Sequence, residues 1–271
     1  MWTPCERLQR TRVAVDAAPR AWRTRSSSIS DGGRKVSSVT YVERRVPSPL
    51  ASCTWEQWAD APYQQRIVPD ACVDLIWSGD RLTIAGPDTR ARMASLAPGT
   101  RIVGVRLRPG AAGAVLGMPA SELCDRVPDA ADVLGRDVAA ALLEALASDQ
   151  DPHALLLRAI ELRGVPERDP LVAAAVRALA RPRARVGAVA NELGLSARQL
   201  QRRVSDAVGY GPKTVQRVLR FRRLQALPPA PLADLALDAG YADQAHMTAE
   251  VTQLAGVSPV RFLGDRAPTT A

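Results

Sequence analysis

In the first half of the chain, apolar positions come in short runs or alternate with polar positions. In "RIVGVRLRPG", Val103, Val105 and Leu107 alternate with other residues before a Pro-Gly turn. In "CVDLIWSGDRLTIAG", two short apolar runs flank a Ser-Gly-Asp turn, which is typical of a β-hairpin. Because a period of two indicates strands, we predict an antiparallel β domain with one solvated face between about residues 39 and 108.

Helical spacing replaces this alternation in the second half. Residues 137–147 and 153–163 have the spacing of helices, with Asp151 and Pro152 placed between them as an N-cap and a first-turn residue. Every segment beyond residue 170 has helical spacing as well. The predicted fold class is therefore α+β, with a mainly antiparallel β N-terminal domain followed by an all-α domain.

The all-α part contains an internal repeat. Residues 188–212, "AVANELGLSARQLQRRVSDAVGYGP", are echoed by residues 235–259, "LALDAGYADQAHMTAEVTQLAGVSP". Each copy predicts a short helix, a turn with glycine and a longer helix, which is a helix-turn-helix unit. A long helix from Pro212 to about Leu227 would join the two units. The matched positions are Ala190 and Ala236, Gly194 and Gly240, Val204 and Val251, Gly209 and Gly256, and Pro212 and Pro259.

The second helix of the first unit has an apolar stripe and a basic face. At 100° per residue, Leu200 and Val204 fall on one side, and Arg198, Gln199 and Arg202 fall on the other. Arginine can bond guanine with two parallel hydrogen bonds, and glutamine can do the same with adenine in the major groove. The alternative is a solvated arginine face, but the duplicated helix-turn-helix favours a DNA-recognition helix.

Charge is distributed unevenly along the 271 residues, whose formal net charge is +8. Residues 181–271 carry 13 basic and 7 acidic side chains, and residues 36–180 carry 15 and 18. A basic C-terminal part behind a mildly acidic middle suggests a module that binds a polyanion, attached to a domain with another task. Residues 1–36 are rich in Ser, Gly and Arg and are predicted to be a disordered basic tail.

The cysteine and histidine content argues against a metal site or an enzyme. The four cysteines form no CxxC pair and there are two histidines, so we predict no metal, no cofactor and no catalytic residues. Free thiols fit a reducing cytoplasm. No run of about 18 apolar residues occurs and no secretory pattern begins the chain, so we expect a cytoplasmic protein on chromosomal DNA.

Residues from about 170 to 264 resemble the DNA-binding domain of AraC-type (AraC/XylS) transcription regulators. The stretches "LGLSARQLQRRV" and "AGYADQAHMTAEVTQLAGVSPVRF" resemble its two signature regions. The resemblance implies two recognition helices that enter successive major-groove segments about 34 Å apart. It implies DNA contacts at Ser196, Arg198, Gln199, Arg202 and Arg203 in the first unit, and at Gln244, Ala245, His246 and Ala249 in the second.

The second unit departs from the family pattern. Ala249 stands where the family commonly has arginine, and residues 243–253 contain no lysine or arginine. We therefore expect a weaker electrostatic attraction to DNA there. Val204 and Val251 stand where the family usually has a core phenylalanine, which predicts smaller or looser cores. For His246, a DNA contact and a capping role both stay open.

The N-terminal half resembles a domain of unknown function that often precedes AraC-type modules. The stretches "IVPDACVDLIW", "AGPDT" and "GVRLRPGAA" carry this resemblance, over about residues 40–135. Candidate ligand-pocket residues are Asp70, Asp74, Trp77 and Asp88. In the alternative interpretation, Asp70 and Asp88 make turn hydrogen bonds and Trp77 belongs to the core.

These observations predict a sequence-specific DNA-binding transcription regulator whose N-terminal domain senses a ligand or mediates assembly. Its expected partner is double-stranded DNA; contacts with RNA polymerase, a small-molecule effector and homodimer formation stay open. The predicted segments are a tail at 1–36, a β-rich sensor or assembly domain at 39–135, a helical linker at 136–167, the double helix-turn-helix domain at 168–264, and a tail at 265–271.

Two other classes of function compete with this prediction. One is a non-specific architectural DNA-binding protein, which sequence selectivity would exclude. The other is a sensor that accepts alkyl groups on a cysteine, which requires an activated thiolate. Cys72 follows Asp70 and precedes Asp74, and these carboxylates would raise the pKa of its thiol, so this alternative is the weaker one.

Overall fold

The N-terminal half of the molecule is an antiparallel β structure. This computed structural model describes residues 23–28, 38–163 and 169–264, and within them six strands form one sheet in the order β1-β2-β3-β8-β5-β6, while β4 and β7 pair as a separate ribbon. Every pairing is antiparallel, as the alternation predicts. The strands are β1 (Arg23–Ser28), β2 (Ser38–Arg45), β3 (Ala51–Ala59), β4 (Tyr63–Ile67), β5 (Asp74–Ser78), β6 (Arg81–Ala85), β7 (Arg92–Leu96) and β8 (Arg101–Leu107).

Helices follow the strands, so the α+β fold class is confirmed. A short 3₁₀ helix, Ala120–Leu123, lies between the first two α-helices. The α-helices are α1 (Ala112–Leu116), α2 (Ala130–Leu134), α3 (Arg136–Leu146), α4 (Pro152–Arg163), α5 (Pro170–Leu179), α6 (Val186–Glu192), α7 (Ala197–Val208), α8 (Pro212–Ala226), α9 (Leu232–Ala239), α10 (Gln244–Ala255) and α11 (Pro259–Gly264).

Helices α1 to α4 cover one face of the large sheet. Leu75 and Val105 of the sheet share a buried apolar cluster with Leu142 of α3 and Leu156 of α4. The segment predicted as a helical linker, residues 136–167, is therefore a structural layer of the β domain over α3 and α4. The reason is that the sheet has an apolar face that these helices cover, which removes both apolar surfaces from water.

Strand β1 falls inside the segment predicted as a disordered tail, residues 1–36. It pairs with β2, with Arg23 opposite Glu43 and Ser28 opposite Ser38. An open sheet edge offers unpaired backbone groups to any extended segment, so pairing does not require apolar periodicity. The rest of that predicted tail lies outside the described residues, as does the predicted tail at residues 265–271.

The opposite face of the sheet carries aromatic and ionic side chains. Trp55 on β3 lies across from Gly104 on β8, and a Cβ atom on Gly104 would stand 2.4 Å from two ring carbons of Trp55. Tyr41 packs beside the same indole, with ring centroids 5.9 Å apart. Glycine at position 104 therefore lets the indole lie against the β8 backbone.

The two helix-turn-helix units share one core with α5 and α8. The first unit is α6 and α7, the second is α9 and α10, and α8 joins them. Val204 and Val251 are fully buried in this core. Phe221 and Phe262 pack there with ring centroids 5.0 Å apart, so α8 and α11 contribute aromatic side chains to a core in which positions 204 and 251 are valine.

The loop before β5 inserts into this helical core. Ala71 is 2% exposed and belongs to the helical cluster, and its backbone has a left-handed φ of 64°. The guanidinium of Arg222 on α8 donates to the carbonyl of Asp70 at 3.1 Å. The β domain thus contacts the helix that joins the two helix-turn-helix units.

The β domain also contacts the second helix of each unit. Arg66 on β4 donates to the carbonyl of Ala255 at 2.9 Å, and the Ala91 N–H donates to the carbonyl of Leu254 at 2.7 Å. These bonds satisfy carbonyls at the C-terminal end of α10, which lack partners within the helix. Helix α7 packs on the 3₁₀ helix, and Gly209 at its end lies close to Pro87.

Among the helices of the described residues, none combines the length and the apolar composition that a membrane span requires.

The contact between Gly104 and Trp55 predicts that alanine at position 104 destabilises the fold, whereas alanine at position 187 does not. We expect Gly104→Ala to lower the free energy of unfolding by about 1–3 kcal/mol, because the new Cβ overlaps the indole. Gly187→Ala is the control, since a Cβ on this exposed α6 residue meets nothing within 4 Å. We expect it to raise the free energy of unfolding by up to about 1 kcal/mol in urea titrations. Equal effects of the two changes would contradict the close packing at Gly104.

Candidate nucleic-acid interface

Helix α7 begins with a capping box. The Ser196 hydroxyl accepts from the Gln199 N–H at 3.2 Å, and the Gln199 side-chain oxygen accepts from the Ser196 N–H at 2.9 Å. Both side chains satisfy backbone groups that would otherwise lack partners in the first turn. The family resemblance implied DNA contacts for Ser196 and Gln199, and the structure engages the Ser196 hydroxyl and the Gln199 amide oxygen in the cap.

The basic face of α7 is exposed while its apolar stripe is buried. Leu200, Val204 and Val208 are buried in the helical core. Arg198 and Arg202 lie on the exposed side, one turn apart. Neither guanidinium forms an ion pair or a hydrogen bond within the part of the chain that the structure describes. Two positive charges are thus presented by a helix whose position is fixed by its buried side.

Arg203 has a different environment. Its guanidinium forms an ion pair with Asp169 at 2.5 Å, and Asp169 caps the N-terminus of α5. This pair joins α7 to the first helix of the helical domain. The two side chains are 41% and 31% exposed, so the pair contributes little stability. The predicted DNA contact of Arg203 would have to compete with Asp169.

Helix α10 presents a neutral face. Asp243 caps its N-terminus by accepting from the His246 N–H at 2.7 Å, and Met247, Val251 and Leu254 are buried. The opposite side forms a shallow surface lined by Gln244, Ala245, Thr248, Ala249, Thr252 and Gln253. Three of the residues predicted to face DNA, Gln244, Ala245 and Ala249, lie together on this exposed surface.

The His246 side chain participates in the start of α10. Its Nδ1 accepts from the Ala242 N–H at 3.3 Å, so the neutral ring carries its proton on Nε2, which lies 3.3 Å from Glu250 Oε1. The ring also meets the edge of Tyr241, with centroids 5.4 Å apart. Of the two interpretations left open by the sequence, this geometry favours the capping role.

Arg217 of the joining helix α8 contacts two side chains of α10. Its Nε lies 3.4 Å from Glu250 Oε1, and another of its nitrogens donates to Gln253. These contacts fix α10 against the joining helix. They also give the neutral helix a positively charged neighbour, which a wheel of α10 alone does not reveal.

Two of the four candidate pocket residues meet around a partly buried arginine, Arg106. Arg106 on β8 donates to both oxygens of Asp74, at 3.1 and 3.0 Å, and its Nε lies 3.4 Å from Asp70 Oδ2. Trp55 donates to Asp74 at 3.0 Å and Glu43 accepts from Arg106 at 3.1 Å. Burial raises the pKa of Asp74, while Arg106 opposes that rise. The arrangement is a satisfied ionic network.

The other two candidates lie elsewhere. Trp77 is an odd number of residues from Asp74 on β5, so it points to the opposite face, where it packs with the helix-covered core. Asp88 pairs with Arg92 at 3.2 Å in the loop after β6. The four residues therefore do not line one pocket, and Trp77 follows the core interpretation.

Sequence reasoning missed Arg106, Trp55 and Glu43, which complete the network. The alternation around Arg106 places it on the face opposite Val105, so its side could be predicted. Its partners could not, because Arg106 stands opposite Asp74 and Cys53 only in the observed strand registers. Register over such sequence separations is not visible in local pattern.

Cys72 does not have the environment of a nucleophilic thiolate. It is buried, and this burial, together with Asp70, raises the pKa of its thiol well above the usual value. Among the described residues, no group of three or more His, Cys, Asp and Glu side chains is arranged to hold a metal ion. Both observations weigh against alkyl transfer to a cysteine.

Comparison with known proteins identifies two families along the chain. Residues 48–129 match a domain of unknown function, DUF6597, and residues 189–264 match a helix-turn-helix domain. No curated protein sequence matches this chain.

Solved structures of ToxT from Vibrio cholerae resemble the chain at low similarity. One has a TM-score of 0.42 and 10% identity, over 92% of this chain and 100% of that one. ToxT bound to (E)-4-(8-methylnaphthalen-1-yl)but-3-enoic acid gives 0.43 and 10%, over 92% and 100%. ToxT with a bound unsaturated fatty acid gives 0.41 and 7%, over 84% and 100%.

The network around Arg106 predicts that removing Arg106 lowers the free energy of unfolding much more than removing Arg101, another arginine of β8. Arg106→Ala should lower the free energy of unfolding by about 2–4 kcal/mol, because it leaves the buried carboxylate of Asp74 without its counter-charge, while Asp70 and Glu43 are partly exposed. Arg101 pairs with Glu56, and its side chain is 52% exposed. Arg101→Ala should therefore lower the free energy of unfolding by at most about 1 kcal/mol. Chemical denaturation of both variants measures this. A cost below 1 kcal/mol for Arg106→Ala would mean that the network does not stabilise the fold.

Proposed function

We propose that this chain is a DNA-binding transcription regulator that recognises a specific operator with both units. The proposal is supported by the helix-turn-helix domain matched at residues 189–264, which follows the DUF6597 domain matched at residues 48–129. In this proposal α7 and α10 enter successive major-groove segments on one face of the duplex. Their N-terminal residues contact base edges, as in other helix-turn-helix proteins.

The observation that carries the proposal is the pair Arg198 and Arg202. Both are exposed on α7, and both lack protein partners within the described residues. A guanidinium can bond O6 and N7 of guanine together, so this face suits a G-containing half-site. Ser196, Gln199 and Arg203 lie beside them, and their protein contacts suit residues that position the helix more than residues that read bases.

The neutral face of α10 suits a different half-site. Gln244 can bond N6 and N7 of adenine, and the methyl groups of Ala245 and Ala249 can contact the methyl group of thymine. We therefore infer an A·T-containing second half-site, read with fewer charge-assisted hydrogen bonds than the first. The His246 ring lies beside this face. Because its Nδ1 accepts from the Ala242 N–H, we do not assign His246 as the principal base contact.

The N-terminal domain is proposed to sense a ligand or to mediate assembly. Its support is the direct contact between the Asp70 loop and α8, and between the β4–β7 ribbon and α10. Through these contacts a change in the β domain would alter the placement of the recognition helices. A small-molecule effector, homodimer formation, RNA polymerase contacts and a cytoplasmic location stay predictions. The helix-turn-helix family points to a regulator rather than an enzyme.

Selection of random duplex DNA by the full-length chain tests the proposal. We expect enrichment of two blocks about 10 base pairs apart, one containing guanine and the other A·T pairs. A single enriched block would show that α10 does not read bases. Binding without any enrichment would instead support the architectural alternative, in which affinity comes from phosphate contacts alone.

Arg202→Ala is expected to weaken binding to the selected site by about 1–3 kcal/mol, with a smaller effect on random DNA, if the guanidinium bonds a base. Arg202→Lys is the matched control, because it keeps the charge and loses the planar fork. Lysine should recover little of the loss in titrations of the selected duplex. Recovery to the affinity of the unmodified chain would identify Arg202 as a phosphate contact.

Ala249→Arg is expected to tighten DNA binding, because it adds a positive charge to the exposed face of α10. Ala249→Gln supplies a longer but neutral side chain as the control. Affinities at low salt should rise for arginine and stay nearly unchanged for glutamine. No gain for arginine would show that Ala249 does not face DNA.

A further inference from the structure

An arginine-lined groove lies between the two helix-turn-helix units. Its volume is about 370 Å³, and of its fifteen lining residues five are arginine and none is Asp or Glu. Three of the arginines come from the loop after α5 and two from α8: Arg181, Arg183, Arg185, Arg220 and Arg223. This concentration of one charge is concave and is separate from the exposed faces of α7 and α10.

Three of these arginines are held by the protein. Arg181 pairs with Glu192, Arg223 donates to the carbonyl of Ala180, and the guanidinium of Arg220 lies 5.2 Å from the centre of the Tyr241 ring. These contacts fix the walls of the groove. Like charges gathered in a concave surface raise the local positive potential, which attracts anions.

The other two arginines are presented to solvent. Arg183 and Arg185 are exposed, and neither guanidinium forms an ion pair or a hydrogen bond among the described residues. Arg183 has a left-handed φ of 55°, a conformation that an L-residue keeps only where its surroundings hold it. The loop therefore carries two guanidinium groups that have no protein partner among the described residues.

The position of the groove relates it to both recognition helices. Arg185 directly precedes α6, the helix that crosses the DNA backbone in helix-turn-helix complexes. At its other side the groove is lined by Ala242 and His246, at the start of α10. Helix α10 itself carries no lysine or arginine. The groove therefore brings positive charge to the end of α10 that would enter the major groove.

We propose that this groove binds phosphate groups of the DNA backbone between the two half-sites, with Arg183 and Arg185 as the contacting residues. This inference rests on the proposed DNA-binding function. It gives the second unit the electrostatic attraction that its own recognition helix lacks. The same chemistry would also fit a free phosphorylated anion, so the experiment must separate these two sources.

The test is the salt dependence of DNA binding by the full-length chain. The logarithm of the association constant falls linearly with the logarithm of salt concentration, with a slope of about 0.9 for each phosphate contact. Arg183→Asn with Arg185→Gln should reduce this slope by about 1–2, equally on selected and random DNA. Asparagine is chosen because it tolerates left-handed backbone.

Two further double variants serve as controls. Arg183→Lys with Arg185→Lys keeps both charges and should retain the slope, because lysine binds phosphate as a point charge. Arg81→Gln with Arg136→Gln removes two exposed charges from the β domain and should also leave the slope unchanged. Equal slopes for the neutral groove variant and the unmodified chain would overturn the proposal. So would equal slope losses in the groove and β-domain variants, which would indicate a general charge effect.

Melting temperature without DNA, with and without pyrophosphate, identifies the source of the phosphate. A stabilisation that is lost in the neutral groove variant, together with an unchanged DNA slope, would assign the groove to a free anion and overturn the DNA contact. Failure of the proposed function has another signature, namely no enriched operator for the unmodified chain. The slope on random DNA still tests the groove in that case.

Discussion

Helices α7 and α10 are held by the core that they share with α8 and, in addition, by contacts with the β domain. Bonds from Arg66 and Ala91 reach the last carbonyls of α10, and the 3₁₀ helix packs on α7. Between these points, the loop at Ala71 enters the helical core beside α8. A bipartite operator requires both helices to reach their grooves at once, so the contacts that hold the two helices also limit the spacing of half-sites that can be bound.

The two units divide their tasks by charge. Helix α7 presents arginines on its own face, whereas α10 presents amide and methyl groups and lies beside the arginines of α8 and of the loop after α5. Direct base contacts specify sequence and phosphate contacts supply affinity, so these functions can reside on different elements. A neutral recognition helix is therefore compatible with DNA binding when neighbouring elements carry the positive charge.

The repeat allowed the helical half to be predicted well, because local pattern and turn glycines define each unit. The exposure of Arg198 and Arg202 and the burial of Val204 and Val251 follow from periodicity alone. The three-residue spacing of Ser196 and Gln199 is compatible with a capping box, but glutamine at this position also suits a base contact, so the sequence alone does not distinguish the two roles. The packing of α3 and α4 on the sheet was not predicted, because an apolar stripe in a helix does not show which surface the stripe packs against.

The geometry of the sheet separates the four candidate pocket residues. Asp74 and Trp77 are three residues apart on β5, so their side chains point to opposite faces of the sheet and cannot line one surface. What Asp74 does instead depends on Arg106, which reaches it across paired strands. A ligand alters DNA affinity only if it binds two arrangements of the chain unequally. In this structure the Asp70 loop carries both a carboxylate beside Arg106 and a carbonyl bonded to Arg222 of α8. That loop therefore connects the ionic network of the β domain directly to the helix that joins the recognition units.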